Sequence, residues 1–118
     1  MPNRNEHLAR AQENEEFARS LDLTKGFYVD WAITLLFYAA PHYVDAYLAI
    51  KPYHPQNHDS RDKEVASNGS LQQIYPDYRR LKDRSQAARY EIANFHRDEF
   101  TKLYRRYANI KRHIDSKL

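Results

Sequence analysis

Cysteine is absent, glycine occurs only as Gly26 and Gly69, and no apolar run approaches the length of a membrane span. Without cysteine there are no disulfides, thiolate nucleophiles or cysteine-ligated zinc sites, and the composition is compatible with a reducing compartment. The two glycines form no phosphate-cradling loop, which excludes nucleotide binding of the P-loop or Rossmann type. The most apolar stretch, Trp31 to Ala40, falls far short of the roughly 20 residues a span requires, and Pro41, His42 and Asp45 follow it. The N-terminus, MPNRNEHLARAQENEEFARS, is polar and of mixed charge, unlike a secretory leader. The chain therefore reads as soluble and cytoplasmic, with no membrane partner. No serine stands in a recognisable nucleophile context, so hydrolysis through a covalent intermediate has no support.

What the chain has instead is helix-forming material. Ala, Leu, Arg, Lys, Glu and Gln dominate while β-branched residues are sparse, which favours an all-α fold. With 118 residues, positions 1–118 suffice for one domain with a core of its own. The net charge of +3 is unevenly spread: residues 1–68 carry −3 and residues 69–118 carry +6. A basic C-terminal half suits a polyanionic partner such as RNA. The same residues also fit the wet faces of amphipathic helices.

Apolar periodicity predicts five helical segments. The first, about 5–21, has a thin stripe of Leu8, Ala11, Glu15, Phe17 and Leu21. The second runs from about Lys25 to Ile50. Its Tyr28, Trp31, Ala32, Leu35, Leu36, Ala39, Tyr43, Ala46, Tyr47 and Ile50 recur at spacings of three and four, and its middle is apolar on almost every side. Pro41 falls inside this pattern. It removes the amide that would bond the Phe37 carbonyl, so a kinked core helix is expected there and not a helix end. Pro52 and Pro55 close the segment. A short third helix is expected over about Ser60 to Ser67, ended by Asn68-Gly69, with Ser70 capping the fourth. The fourth carries Leu71, Ile74, Tyr78, Leu81, Ser85 and Ala88; the fifth, about Asn94 to Ser116, carries Phe100, Leu103, Tyr107, Ile110 and Ile114. Both sets are seams of the kind that close antiparallel bundles. The expected architecture is an antiparallel four-helix bundle with one extra short helix and a core helix kinked at Pro41.

Several constellations carry chemistry on this scaffold. His54 and His58, with Asp59 and Asp62 following, have metal-ligand side chains, and His42 with Asp45 at i and i+3 could add donors. Pro55 keeps His54 and His58 off one regular helix. The plainer account makes His58 or Asp59 a cap and His54 an exposed loop residue, with no metal or other cofactor. Ten tyrosines and five phenylalanines offer stacking faces, though most fall on core positions. Tyr104 and Tyr107 among Arg105, Arg106, Lys111 and Arg112 are the candidates for RNA contact. Asp30 and Asp45 on the apolar second helix are costly unless paired, and Arg84 or Arg89 of the fourth helix is the expected partner. Such a pair would be either structural or the polar lining of an interhelical cleft.

Three segments in order carry a resemblance. LLFYAAPHYVDAYLAIK is similar to the aromatic-alanine helix of the HEPN domain family, whose members belong to prokaryotic defence and toxin systems. HPQNHDSRDKEVASNGSL resembles that family's histidine-containing loop and short helix. YRRLKDRSQAARYE resembles its leucine, arginine and Ala-Asp-Tyr ending. Together they cover roughly Tyr28 to Glu91. Active HEPN proteins are metal-independent ribonucleases that use an arginine followed after four to six residues by a histidine. Arg89 and His96, with YEIANF between them, satisfy that spacing, although Tyr90 stands where the motif prefers a polar residue. Aligning Ala88-Arg89-Tyr90 on the Ala-Asp-Tyr ending instead puts Ser85 and Tyr90 at the two catalytic places.

The resemblance implies a catalytic role for Arg89 and His96. A histidine can take the ribose 2′-hydroxyl proton or protonate the leaving oxygen, and an arginine can hold the phosphate with two donors. It also implies a homodimer in which two such pairs face each other, RNA as substrate, and a nucleotidyltransferase-type protein as companion. The expected function is thus an RNA- or nucleotide-associated component of a toxin–antitoxin or defence-type system, with endoribonuclease activity an open question. The alternative is a non-catalytic protein–protein interaction module.

Overall fold

A computed structural model describes residues 3–49, 58–90 and 95–118, excepting the side chains of residues 26, 27, 58–60, 64 and 67. The elements are α1 (Arg4–Ser20), α2 (Gly26–Ala49), α3 (His58–Ser67), a 3₁₀ turn (Gln72–Ile74), α4 (Tyr75–Tyr90) and α5 (Arg97–Asp115). Among the described residues there is no strand, and the fold is the expected all-α bundle of four long helices and one short one. No helix of the described residues is long and apolar enough to cross a membrane.

Local chemistry sets the helix ends. Asn3 accepts the amide of Glu6 at 2.9 Å and caps α1, satisfying one of the first-turn donors that no helical carbonyl reaches. Asp22 accepts both the amide (3.1 Å) and the hydroxyl (2.6 Å) of Thr24, and these bonds hold its carboxyl below the usual range. The resulting tight turn sends α2 back along α1. α2 runs unbroken through Pro41, as its apolar pattern predicts. Ile50 and the histidine-bearing part of the following loop, with His54, lie outside the described residues.

The fourth helix departs from expectation at its start. Ser70 does not cap it. Asn68 accepts the Ser70 amide at 2.9 Å in a side-chain-closed turn, a 3₁₀ turn follows, and α4 begins only at Tyr75, with Pro76 in its first turn. Pro76 lacks an amide and is tolerated where no helical carbonyl would receive one. Leu71 and Ile74 are buried all the same, so the seam survives the change of helix type.

The bundle measures 43 × 24 × 23 Å, a cross-section of about two helix diameters each way. α2 occupies the centre and packs against α1, α3, α4 and α5, while α4 and α5 also pack on each other. The seam residues Leu71, Ile74, Tyr78, Leu81 and Ser85, and all five predicted on α5, are buried. α1 approaches through its smallest side chains, Ala11 and Ala18, both fully buried. Two stripe residues behave otherwise: Phe17 is 59% and Trp31 57% exposed. α2 is apolar on so many sides that four neighbours cannot cover it, and Trp31 lies on the strip left open.

Ile110 is fully buried on α5. Ile110→Ala should lower the unfolding free energy by about 2–5 kcal/mol, seen in urea as a lower midpoint with an unchanged slope.

Candidate functional site

Two surfaces meet at Tyr38. One is a polar cleft between α1 and α2, with a volume of 590 Å³ and with Glu6, His7, Arg10, Asn14, His42 and Arg61 on its walls. The other is an aromatic face where Tyr38 and Trp31 flank a smaller hollow, 340 Å³, that also holds Asp30, Thr34 and Arg89.

The cleft is built on α2. His42 and Asp45, three residues apart, share one helical face. Asp45 is buried, and its partner is Arg61 of α3, not Arg84 or Arg89. Arg61 Nε and Nη2 donate to the two carboxylate oxygens at 2.8 and 2.7 Å. This two-point fork compensates a carboxylate in an apolar setting. The pairing raises the Arg61 pKa against the opposing effect of its own burial. α1 contributes His7, whose Nδ1 lies 3.2 Å from His42 Nδ1, with ring centroids 5.5 Å apart. One nitrogen must carry a proton for that contact to be a hydrogen bond. Burial lowers the His42 pKa, helped by His7, Arg61 and Arg10 and opposed by Asp45, which favours the neutral ring.

Beneath the cleft a second polar set ties α3 to α4. Tyr78 donates to Asp62 at 3.0 Å, and Lys82 pairs with the same carboxylate. Burial, reinforced by the Asp62 charge, raises the Tyr78 pKa and keeps its hydroxyl protonated. Asp62, a candidate ligand by sequence, is therefore committed to structure. His58 and Asp59 belong to α3, but their side chains lie outside the described residues.

The Arg89–His96 pair sits at the other surface. Arg89 lies in the last turn of α4; it donates to the Tyr38 hydroxyl at 3.0 Å and to the Ser85 carbonyl at 3.3 Å. Its guanidinium lies over the rings of Tyr38 and Tyr90, 5.5 and 5.1 Å from their centroids. His96 is the exposed N-cap residue of α5 and makes no side-chain capping bond. Among the described residues no contact joins the two.

Asp30 stands beside Arg89 in the hollow; among the described residues it has no ion pair, and its buried Oδ1 has no hydrogen-bond partner. Burial raises its pKa against the opposing effect of the Phe95 amide. Arg84, the other expected partner, stacks over the Phe95 ring at 4.6 Å, and its buried Nε is likewise unpartnered.

The four candidate RNA-binding cations on α5 are spread apart. Arg105 and Arg112, seven residues apart and exposed, share a face. Arg106 pairs with Asp77 at 3.2 Å. Lys111, turned about 120° from Arg105, reaches the buried Glu15 of α1 at 3.4 Å. Tyr107 is core, and Tyr104 donates to Glu15 at 3.1 Å with the Arg19 guanidinium already over its ring, 5.8 Å from the centroid.

His7, Arg10 and Arg61 were not singled out from the sequence. The available signals were the shared face of His42 and Asp45, the need of a buried carboxylate for a cation, and a short turn that lays α1 along α2. Comparison with protein-family models, with curated proteins and with solved structures found no match.

Removing Arg61 strands a nearly buried charge, so Arg61→Ala should cost about 3–5 kcal/mol of stability, read by denaturant unfolding. Arg61→Lys should recover only part, because an ammonium cannot reproduce the fork. Asp30 gives the opposite sign. Its raised folded pKa means that its contribution to stability is present below the ordinary value of 3.8 and lost as pH rises through the folded value. In the monomer, Asp30→Asn should therefore stabilise the protein at neutral pH, with the gain disappearing below 3.8, as followed by thermal melts across a pH series at protein concentrations low enough to keep the chain monomeric.

Proposed function

We propose that the chain is a HEPN-like helical bundle, an RNA-associated component of a toxin–antitoxin or defence-type system, assembled as a homodimer through the aromatic face around Arg89. The observation that carries this reading is the exposure of apolar and aromatic side chains on one continuous strip beside that arginine. Trp31, Tyr38 and Tyr90 are 57%, 38% and 77% exposed, and Phe17 with Leu21, Tyr28 and Leu35 extends the strip across α1. Single exposed aromatics are ordinary, but a contiguous set marks an interaction surface. Asp30 and Arg89 put opposite charges on the same face. A two-fold axis would let each copy's carboxylate meet the other's guanidinium, the reciprocal pairing that an isologous interface requires.

In this reading the dimer brings two Arg89–His96 pairs to one seam. Arg89 holds a phosphodiester and His96 moves the proton, with no metal in the step. Arg105 and Arg112 extend the basic surface for the RNA backbone. A nucleotidyltransferase-type protein is the companion that the resemblance implies. The second reading, a non-catalytic protein–protein interaction module, draws on the same strip: the Tyr38 hydroxyl and two tyrosine rings already engage Arg89, a setting that also suits a protein contact.

Purified protein incubated with total RNA in EDTA, beside Arg89→Ala and His96→Ala, tests the reading. Cleavage by the wild type, lost by about 10²-fold or more in each variant, is the expected outcome. Sedimentation should report a wild-type dimer and a Trp31→Arg monomer that is also inactive. A dimer that leaves RNA intact supports the interaction module, and a wild-type monomer rules out the proposed assembly.

A further inference from the structure

We propose that His7, His42 and Asp45 form a binding site for a first-row divalent transition metal, zinc being the reference ion, at the floor of the cleft between α1 and α2. The inference is independent of the RNA reading and uses none of its residues. Its ligands come from two helices that meet through the Asp22 turn. His42 and Asp45 share a face of α2, and His7 reaches them from the first turns of α1. Histidine and carboxylate donors projected inward from neighbouring helices are a usual way of building metal sites in bundles.

The distances fit a metal. Zinc holds imidazole nitrogen at about 2.0–2.1 Å, and two such ligands at a tetrahedral angle stand about 3.3–3.4 Å apart. The Nδ1 atoms of His7 and His42 are 3.2 Å apart, so the pair already spans one edge of that tetrahedron. One ligand atom from each of the three residues lies within 4.8 Å of the other two. A small adjustment of the Asp45 side chain brings a carboxylate oxygen to ligand range. Its two bonds from Arg61 leave a lone pair on each oxygen, and a hydrogen-bonded outer neighbour of this kind orients a ligating carboxylate.

Charge and access are also compatible. Glu6 and Asp45 balance Arg10 and Arg61, so the cleft carries no net charge that would repel a cation. Three protein ligands leave a coordination position open, and the 590 Å³ cleft gives a path for the ion and for a water or small ligand on it. The ion would take the place of whatever proton the two imidazoles share, and would clamp the start of α1 to the C-terminal part of α2.

The test uses the full chain, stripped with EDTA and returned to metal-free buffer. Zinc is titrated in competition with a chromophoric chelator, and cobalt(II) is titrated separately to read coordination from its visible spectrum. The wild type should take up one equivalent and show a cobalt spectrum of low coordination number. Loss of an outer-sphere partner weakens metal sites by about 10–100-fold, and loss of a direct ligand should do at least as much. His7→Ala and His42→Ala should each lose tenfold or more in affinity, while His113→Ala, whose ring donates to the Ser70 carbonyl at 2.7 Å, keeps wild-type affinity. His7 is only partly buried, so His7→Ala should keep the wild-type far-UV circular dichroism and separate a lost ligand from a lost fold. Failure of the wild type to bind one equivalent, or full affinity in a folded His7→Ala protein, overturns the proposal.

Discussion

The whole arrangement depends on α2 being apolar on nearly every side. A helix of that kind must be wrapped, and in this fold every other helix packs against it. The few polar groups it carries are then forced to find partners on whichever helix covers them. Asp45 takes Arg61 from α3, and His42 meets His7 from α1. Asp30 stands where the wrapping runs out, and its Oδ1 finds no partner among the described residues. The polar cleft and the open aromatic face are two consequences of one constraint, with Tyr38 shared between them.

Much of the fold was legible because seams on half-buried helices repeat at three and four. On α4 and α5 nearly every predicted core position is buried, since each of these helices has a wet side that gives the pattern its contrast. α2 lacks that contrast. Its periodicity could announce a buried helix but could not tell which strip would remain uncovered, and so Trp31 was expected inside. The displaced start of α4 has a similar origin: Ser70 is a good cap by type, but Asn68 closes its turn first. A competition between two capping residues two positions apart is decided by backbone geometry that spacing does not encode.

The cleft was less legible than the fold. His42 and Asp45 could be seen to share a helical face, but the third donor is 35 residues away on a helix with almost no amphipathic signal. His7 enters only once the Asp22 turn has laid α1 against α2. The buried carboxylate correctly demanded an arginine, yet the choice fell on the basic residues of α4. Arg61 lies on the short helix that follows the histidine-bearing loop, and that helix reaches the C-terminal part of α2. Sequence separation gave no means of ranking these cations. Arg89 and His96 came from a resemblance, and their surroundings, two tyrosine rings and an uncapped helix start, came only with the fold.

The uncovered Trp31 has a further consequence. It is the only tryptophan in the chain, it is 57% exposed, and it lies on the strip that a partner would cover. The indole emission of this protein thus originates from one point on its surface, on a face that none of the described residues covers fully. Whatever settles on that face moves the indole out of water, and the protein signals the event in its own ultraviolet fluorescence without any attached label.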